Sequence, residues 1–407
     1  MKCWRWFLAL VCFSALLGLL GSGLSLTAGD KKDKDKVADK DKTADKDKTA
    51  DKDKTAEKDK TKDKDKAADK DKTKDKDKAA DKDKTADKDK TADKDKGAKE
   101  KGTTVEKSAF EWKAFDRKDP FFQKLQTKTN QTLQVMDQKI IQEQNQTFFV
   151  KWTPKGKKDG NWVVEQEIQG MNMEINIGGN KIAYDSEAKD TPANPMSDFF
   201  KNLKGAKLEY TVSPTLEILS VEGRKPLIDK LSTSNPQMKT LLDTLLSDEA
   251  LKQMAQPTWG AFPPADRKGD TWSKVVTLKL GNIGTYKSTL DYSLDKETKG
   301  KIDINSKLTY DPPADAKAGP RLPFTIKSAD TKDMKAMGKG EALFDLDKGW
   351  FSKITMNTNI ENLKLTIEVG NVDTTVTITQ NQSSVITTAE SSFIGKKEET
   401  PAKEKTK

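Results

Sequence analysis

Thr285-Tyr286-Lys287-Ser288-Thr289-Leu290-Asp291-Tyr292-Ser293-Leu294, the turn Glu297-Thr298-Lys299-Gly300 and then Lys301-Ile302-Asp303-Ile304-Asn305-Ser306-Lys307-Leu308-Thr309-Tyr310 decide the fold. In the first run Tyr286, Ser288, Leu290, Tyr292 and Leu294 alternate with Thr285, Lys287, Thr289, Asp291 and Ser293. In the second, Ile302, Ile304, Leu308 and Tyr310 alternate with Lys301, Asp303, Asn305 and Lys307. A strand sends successive side chains to opposite faces, so this period of two describes an antiparallel hairpin with one wet face.

The same alternation predicts strands over 131–136, 140–153, 162–169, 171–177, 181–184, 207–212 and 216–221. It resumes over 272–280, 324–328, 341–346, 350–360, 363–369 and 374–379. Asp159-Gly160 and Gly178-Gly179-Asn180 supply turns between early strands. One interval departs from the pattern: 196–203, 226–231, 236–246 and 248–253 have helical spacing, with Asn235 before Pro236 and Ser247 before Asp248 as caps. Leu241, Leu242, Leu245, Leu246, Leu251 and Met254 then share one apolar surface, which must be buried against the sheet. The expected fold is α+β, mainly β: a large curved antiparallel sheet or open half-barrel with a helical insertion (196–256) packed on its concave face.

The chain of 407 residues has no histidine, which excludes imidazole bases, imidazole metal ligands and histidine pH switches. Its net charge of +9 is unevenly held. Between Asp30 and Lys101 stand 28 Lys against 24 Asp or Glu, and removing this segment and both termini leaves about +1 for 102–395. With no basic stripe to displace counterions from a phosphate backbone, a nucleic-acid partner is not expected.

Lys2 and Arg5 precede the apolar run 7–20, which Gly21 and Gly23 follow. This reads as a secretory signal over 1–28 cut after Ala28; an uncleaved anchor over 7–26 is the competing reading. Both cysteines, Cys3 and Cys12, fall inside it, so the mature chain is expected to lack disulfides and thiol chemistry. The segment 29–104 repeats Thr-Ala-Asp-Lys-Asp-Lys with Val37 as its single large apolar residue, and reads as a disordered tether. Its alternating charges cancel within a Debye length, and its reach is about 45 to 50 Å. Lysines between the aspartates, with no glycine or bidentate glutamate in register, argue against a calcium loop. A β-rich domain is expected over 105–390 and a charged, disordered tail over 391–407.

Phe262-Pro263-Pro264-Ala265-Asp266-Arg267-Lys268-Gly269-Asp270-Thr271-Trp272 resembles the Pro-rich turn and Gly-Asp-x-Trp signature of an uncharacterised family of secreted proteins, abundant in planctomycete bacteria. Val212-Ser213-Pro214 leading into Val221-Glu222-Gly223, and Gly340-Glu341-Ala342 leading into Asp347-Lys348-Gly349, match the same family. The resemblance implies export and an architecture, and no catalytic residues. The layout is similar to that of half-barrel carriers of lipoproteins or lipids in bacterial envelopes.

Candidate chemistry is sparse. Glu165 and Glu167 share a strand face but read as solvent-facing, as do Asp345 and Asp347 before Gly349; Ser293-Leu294-Asp295-Lys296 ends a strand rather than occupying a helical turn. No Walker loop, Gly-x-Gly-x-x-Gly or Gly-x-Ser-x-Gly is present. Asn130, Asn145 and Asn381 begin Asn-x-Ser/Thr sequons. The expectation is a protein without enzymatic activity, cofactor or metal, exported to periplasm, cell envelope or exterior. Two functions fit: an apolar or lipid-like ligand held inside the half-barrel, or a structural or adhesive surface module binding polysaccharide or protein on a charged tether. Candidates to line an apolar cavity are Trp162, Met171, Met173, Leu242, Leu246, Trp259, Phe262 and Trp350, which serve equally well as packed core.

Overall fold

The computed structural model describes residues 110–189, 195–233, 236–315 and 324–395. The signal expected over 1–28, the tether over 29–104, Asn235 and the tail from 396 onward lie outside the described residues.

The described chain forms thirteen strands: β1 (Phe121–Val135), β2 (Gln138–Lys158), β3 (Asn161–Ile177), β4 (Asn180–Asp185), β5 (Lys207–Val212), β6 (Ile218–Glu222), β7 (Thr271–Lys279), β8 (Thr285–Leu294), β9 (Lys301–Asp311), β10 (Thr325–Asp330), β11 (Lys335–Asp345), β12 (Trp350–Val369) and β13 (Val372–Ala389). They make one open antiparallel sheet in the order β6-β5-β3-β2-β1-β13-β12-β11-β9-β8-β7, with β4 beside β3 and β10 beside β12. Helices α1 (Pro195–Leu203), α2 (Arg224–Leu231), α3 (Lys239–Leu245) and α4 (Asp248–Ala255) belong to the interval that broke the strand pattern. The Ser247 hydroxyl accepts from Ala250 N–H, as its cap position predicts.

The deciding hairpin is β8 and β9, registered from Thr285 opposite Asp311 to Leu294 opposite Ile302. Asp295 shapes its turn by accepting from the N–H groups of Glu297 and Thr298, each at 2.8 Å. Gly300 closes the turn at φ 80°, with its missing Cβ pointing at Phe344 O. Gly160 has almost the same φ, 79°, and open space around it. Gly300→Ala is therefore expected to cost about 2 kcal/mol or more and Gly160→Ala about 1 kcal/mol, the difference being the clash. Equal midpoints for the two variants in urea denaturation would contradict this.

Several strands run well past their expected ends. β1 begins at Phe121 rather than near Gln131, and β13 continues to Ala389 rather than stopping near Thr379. Six inward positions of the added lengths are polar, Gln123, Thr127 and Thr129 in β1 and Gln380, Gln382 and Ser384 in β13, and they interrupt the apolar Phe121, Leu125 and Ile386, so alternation of hydrophobicity is broken while alternation of burial persists. β11 likewise starts earlier, through Gly338 and Gly340, where a Cβ would run into Met356. The two strands expected over 350–360 and 363–369 are one, β12, with a bulge at Asn362, φ 57°. Such bulges increase twist and bend a sheet.

A flat path of eleven strands would hold its edges about 50 Å apart. Yet α4, one helix about 10 Å wide, packs against both edge strands, β6 and β7. Lys252 Nζ donates to Leu219 O of β6 at 2.9 Å, while the loop after α4 receives Lys274 Nζ of β7 on Gly260 O at 2.7 Å. The sheet is thus bent around the helical insertion, which bridges edges that do not pair with each other.

Burial on the concave face falls into three apolar clusters. The largest joins Phe121, Trp152, Tyr210, Trp272 and Trp350 of the sheet to Leu227 and Ile228 of α2, Leu242 of α3 and Leu251 of α4. A second gathers Leu133, Tyr286, Tyr310, Leu365 and Ile378 around Leu245 and Ala250. The third sets Phe200 of α1 against Met171, Met173 and Ile175 of β3.

Candidate functional site

The eight apolar cavity candidates all lie in these clusters. Trp162, Leu242, Trp259 and Trp350 are buried in the largest, with Leu246 and Phe262 packed against it, whereas Met171 and Met173 belong to the cluster under α1. Trp162 is anchored outside by its Nε1–H, which donates to Asp116 Oδ1 at 2.9 Å. Burial alone would raise Asp116, but hydrogen bonds from Trp162 and Lys157 and the Lys157 charge outweigh it and hold the carboxyl below its usual value.

Between the apolar clusters the concave face is polar and still buried. Gln144 and Gln146 of β2, Thr127, Thr129 and Gln131 of β1, and Gln380, Gln382 and Ser384 of β13 form a belt across three adjacent strands. Gln131 Nε2 donates to Gln380 Oε1 at 3.0 Å, Gln380 Nε2 to Gln382 Oε1 at 3.3 Å, and Gln382 Nε2 to Ser384 Oγ at 3.3 Å. Buried amides are tolerable where they donate and accept along such a ladder. In β2 Gln144 Nε2 donates to Gln146 Oε1 at 3.0 Å, while Gln144 Oε1 is buried without a partner among the described residues.

At the same height, the outer face carries a groove of about 430 Å3 lined by β1, β13, β12 and β11. Pairing places its outward side chains in two straight rows. Lys128, Ser383, Asn357 and Lys339 form one; Asn130, Asn381, Asn359 and Met337 form the other. Four strands put the ends of each row about 14 Å apart, and the rows are about 7 Å from one another. Serine and asparagine make the floor low, while two lysines and Met337, 63% exposed, stand higher at the ends. Asn145 and Asn305 extend the lysine row on either side. Asparagine is depleted in strands, so this concentration runs against local preference. Rows of amides that donate and accept suit a ligand rich in hydroxyl groups. Sequence reasoning met Asn130, Asn145 and Asn381 only as sequons; asparagine at outward positions of long strands was the available signal.

The other candidates are occupied structurally. Glu165 pairs with Lys155 at 3.2 Å and Lys207 at 3.0 Å, and these hydrogen bonds and charges overcome a burial effect that would raise its pKa, leaving it lowered. Asp345 accepts from the N–H groups of Asp347 and Lys348, forming the hairpin end. Gly269 turns the chain at φ 78°, Asp270 O accepts from Leu294 N–H at 2.9 Å, and Trp272 stacks on Tyr292 at 5.4 Å. Among the described residues no group of three or more Asp, Glu, Cys or His is placed to hold a metal ion, and no helix is long and apolar enough to cross a membrane.

An open antiparallel sheet bent around a helical insertion, with an amide-lined groove outside, is the class these features define. Residues 159–351 match DUF6263, a family of unknown function, and the matched stretch contains all three motif segments quoted above. No curated protein matches the sequence. Among solved structures, one titled for lipid–protein interactions in lipovitellin is similar at 10% identity and TM-score 0.36, over 68% of this chain and 26% of that one. This chain therefore spans about a quarter of that protein's length. OccK5 (OpdH) of Pseudomonas aeruginosa is similar at 8% identity and TM-score 0.20, over 66% of this chain and 98% of that one. The translocator domain of the autotransporter NalP from Neisseria meningitidis is similar at 6% identity and TM-score 0.18, over 66% and 88%. Likeness at this level carries no function with it.

Proposed function

We propose that this chain is an exported, non-catalytic module of the cell envelope that binds polysaccharide through the groove on the outer face of its sheet. The observation that carries the reading is the pair of in-register rows holding Asn130, Asn381, Asn359, Asn357 and Ser383 on four neighbouring strands. A rigid sheet holds these amides at fixed spacing, with Asn359 further oriented by its Nδ2–H donating to Glu361 Oε1 at 2.7 Å, which leaves its Oδ1 as an acceptor toward a repeating chain of hydroxyls. Export and display rest on the basic start and apolar run at 1–28 and on the charged repeat at 29–104. The apolar-ligand alternative asks more of the fold. A lipid inside the half-barrel would have to displace Leu242, Leu246, Trp259 and Phe262 from the contacts they make with the sheet.

The test is calorimetric titration of the exported protein with soluble polysaccharides, beside an Asn359→Val/Asn381→Val variant. Valine suits an exposed strand position, so the fold is expected to survive and circular dichroism to be unchanged. Loss of at least tenfold in affinity supports the reading. Unaltered binding by the variant, or no binding of any polysaccharide together with a lipid co-purifying in native mass spectrometry, overturns it.

A further inference from the structure

We infer that the groove selects an acidic polysaccharide, whose anionic groups are held by Lys128 and Lys339 at the two ends of one row. This deepens the reading above and rests on it. The two lysines are exposed, they line the groove together, and neither has an ion-pair partner among the described residues. On the same face Lys287, Lys307 and Lys353 are likewise exposed and without an ion-pair partner among the described residues, whereas three other lysines are held in ion pairs. Lys207 pairs with Glu165 and Glu167; Lys301 with Asp295, Asp303 and Glu341; Lys327 with Glu368 and Asp373. What marks Lys128 and Lys339 is position: they end one row of a groove whose own lining contains no carboxylate, with Glu361 beside it held by Asn359 Nδ2–H at 2.7 Å.

Three features narrow the ligand. The lining has no aromatic ring, so a neutral sugar finds no platform on which to stack, and attraction has to come from the amides and the two ammonium groups. The cations are separated by three strand intervals, about 14 Å, too far for one monosaccharide to reach both and a suitable span for several linked sugars. Between them Ser383 and Asn357 continue the same row with neutral donors and acceptors, matching a chain in which hydroxyl-bearing segments separate anionic groups. Lysine presents a compact point charge that accommodates carboxylate or sulfate alike, so the two sources are separated by experiment.

The full exported chain would be titrated with polygalacturonate, dextran sulfate and neutral dextran at two salt concentrations. The comparison is with Lys128→Met/Lys339→Met and with a charge-matched control, Lys268→Met/Lys299→Met, whose lysines lie at exposed turns away from the groove. The expected result is that the wild type binds at least one acidic polymer tenfold or more tighter than dextran. The groove variant should lose that preference and most of its salt dependence, while the control retains both. A preference for polygalacturonate alone identifies a uronate ligand, and one for dextran sulfate alone a sulfated ligand. Equal affinity for dextran and both acidic polymers overturns acid selectivity and leaves the polysaccharide reading standing. Equal loss in the control pair also overturns it, by showing general attraction to the lysine-rich chain. Failure to bind any of the three overturns both.

Discussion

Trp259→Ala lowers the unfolding free energy by about 3–5 kcal/mol, the largest effect expected of a single substitution in this protein. Trp259 is fully buried and stands where three separate parts of the chain meet. Its ring meets Phe115 of the segment before β1 edge-on at 5.1 Å, Trp152 of β2 at 5.6 Å and Trp112 at 6.4 Å. Its Nε1–H donates to Leu216 O, just before β6, at 2.9 Å. Truncation empties the volume of an indole and also leaves the Leu216 carbonyl with a weaker partner set, Gln256 Nε2 at 3.4 Å. Because the segment around α4 bridges the two sheet edges, the damage should spread to β6 and β7, seen as faster amide exchange there than in β1 or β13. Trp259→Phe keeps most of the ring and is expected to cost less. A midpoint in urea, followed by circular dichroism, that moves by less than the equivalent of 1 kcal/mol for the alanine variant would remove the bridge from this account.

Stability should rise as the pH is taken from about 7 toward 10, by about 3 kcal/mol. The source is Lys274 of β7, half-buried, with its Nζ donating to Gly260 O at 2.7 Å and Phe262 O at 3.3 Å and lying 6.0 Å from the Tyr292 ring. Burial pulls this amine down to about 7, and the charge of Glu217 opposes the fall only in part. An unfolded lysine keeps its proton to about pH 10.4. Between those values the unfolded chain binds a proton that the folded chain does not, so raising the pH favours folding; below about 7 both states are protonated and the penalty is constant. Above about pH 10 the trend reverses. Burial raises the phenols of Tyr210, Tyr286 and Tyr310, so the folded protein retains protons that the unfolded chain releases. Denaturation across pH 6 to 11 should therefore give a maximum near pH 9 to 10, and Lys274→Met should flatten the rise. A stability that falls steadily from pH 7 to 9.5 in the wild type would contradict the assignment.

The same residue pattern that reveals a strand can hide its length. Tyr286 to Leu294 and Ile302 to Tyr310 are legible because burial on their inner face is mostly apolar, so hydrophobicity and burial share one period. In β1 and β13 the inner face passes through Gln123, Thr129, Gln380 and Gln382, where burial continues without hydrophobicity. Gln131 of β1 donates to Gln380 of β13 there, a compensation that neither strand contains alone, and Gln380 in turn donates to Gln382 within β13. The groove was less legible still. Asn130 and Asn381 are each unremarkable alone, and they become a site only because β1 lies beside β13.

What the amino-acid order determined by itself is local: which segments extend, which coil into helices, where Asp-Gly and Gly-Gly turns fall, and which side of each strand faces inward. Those properties follow from backbone sterics and a period of two or 3.6, both confined to a few residues. Only the tertiary structure decided which strands stand side by side, that the insertion touches both edges, and that two lysines about two hundred residues apart end one row of a groove. Period fixes the face a side chain points to, whereas its neighbours across the sheet are set by long-range pairing, in which many segments of similar alternation compete and the packed interior selects one arrangement.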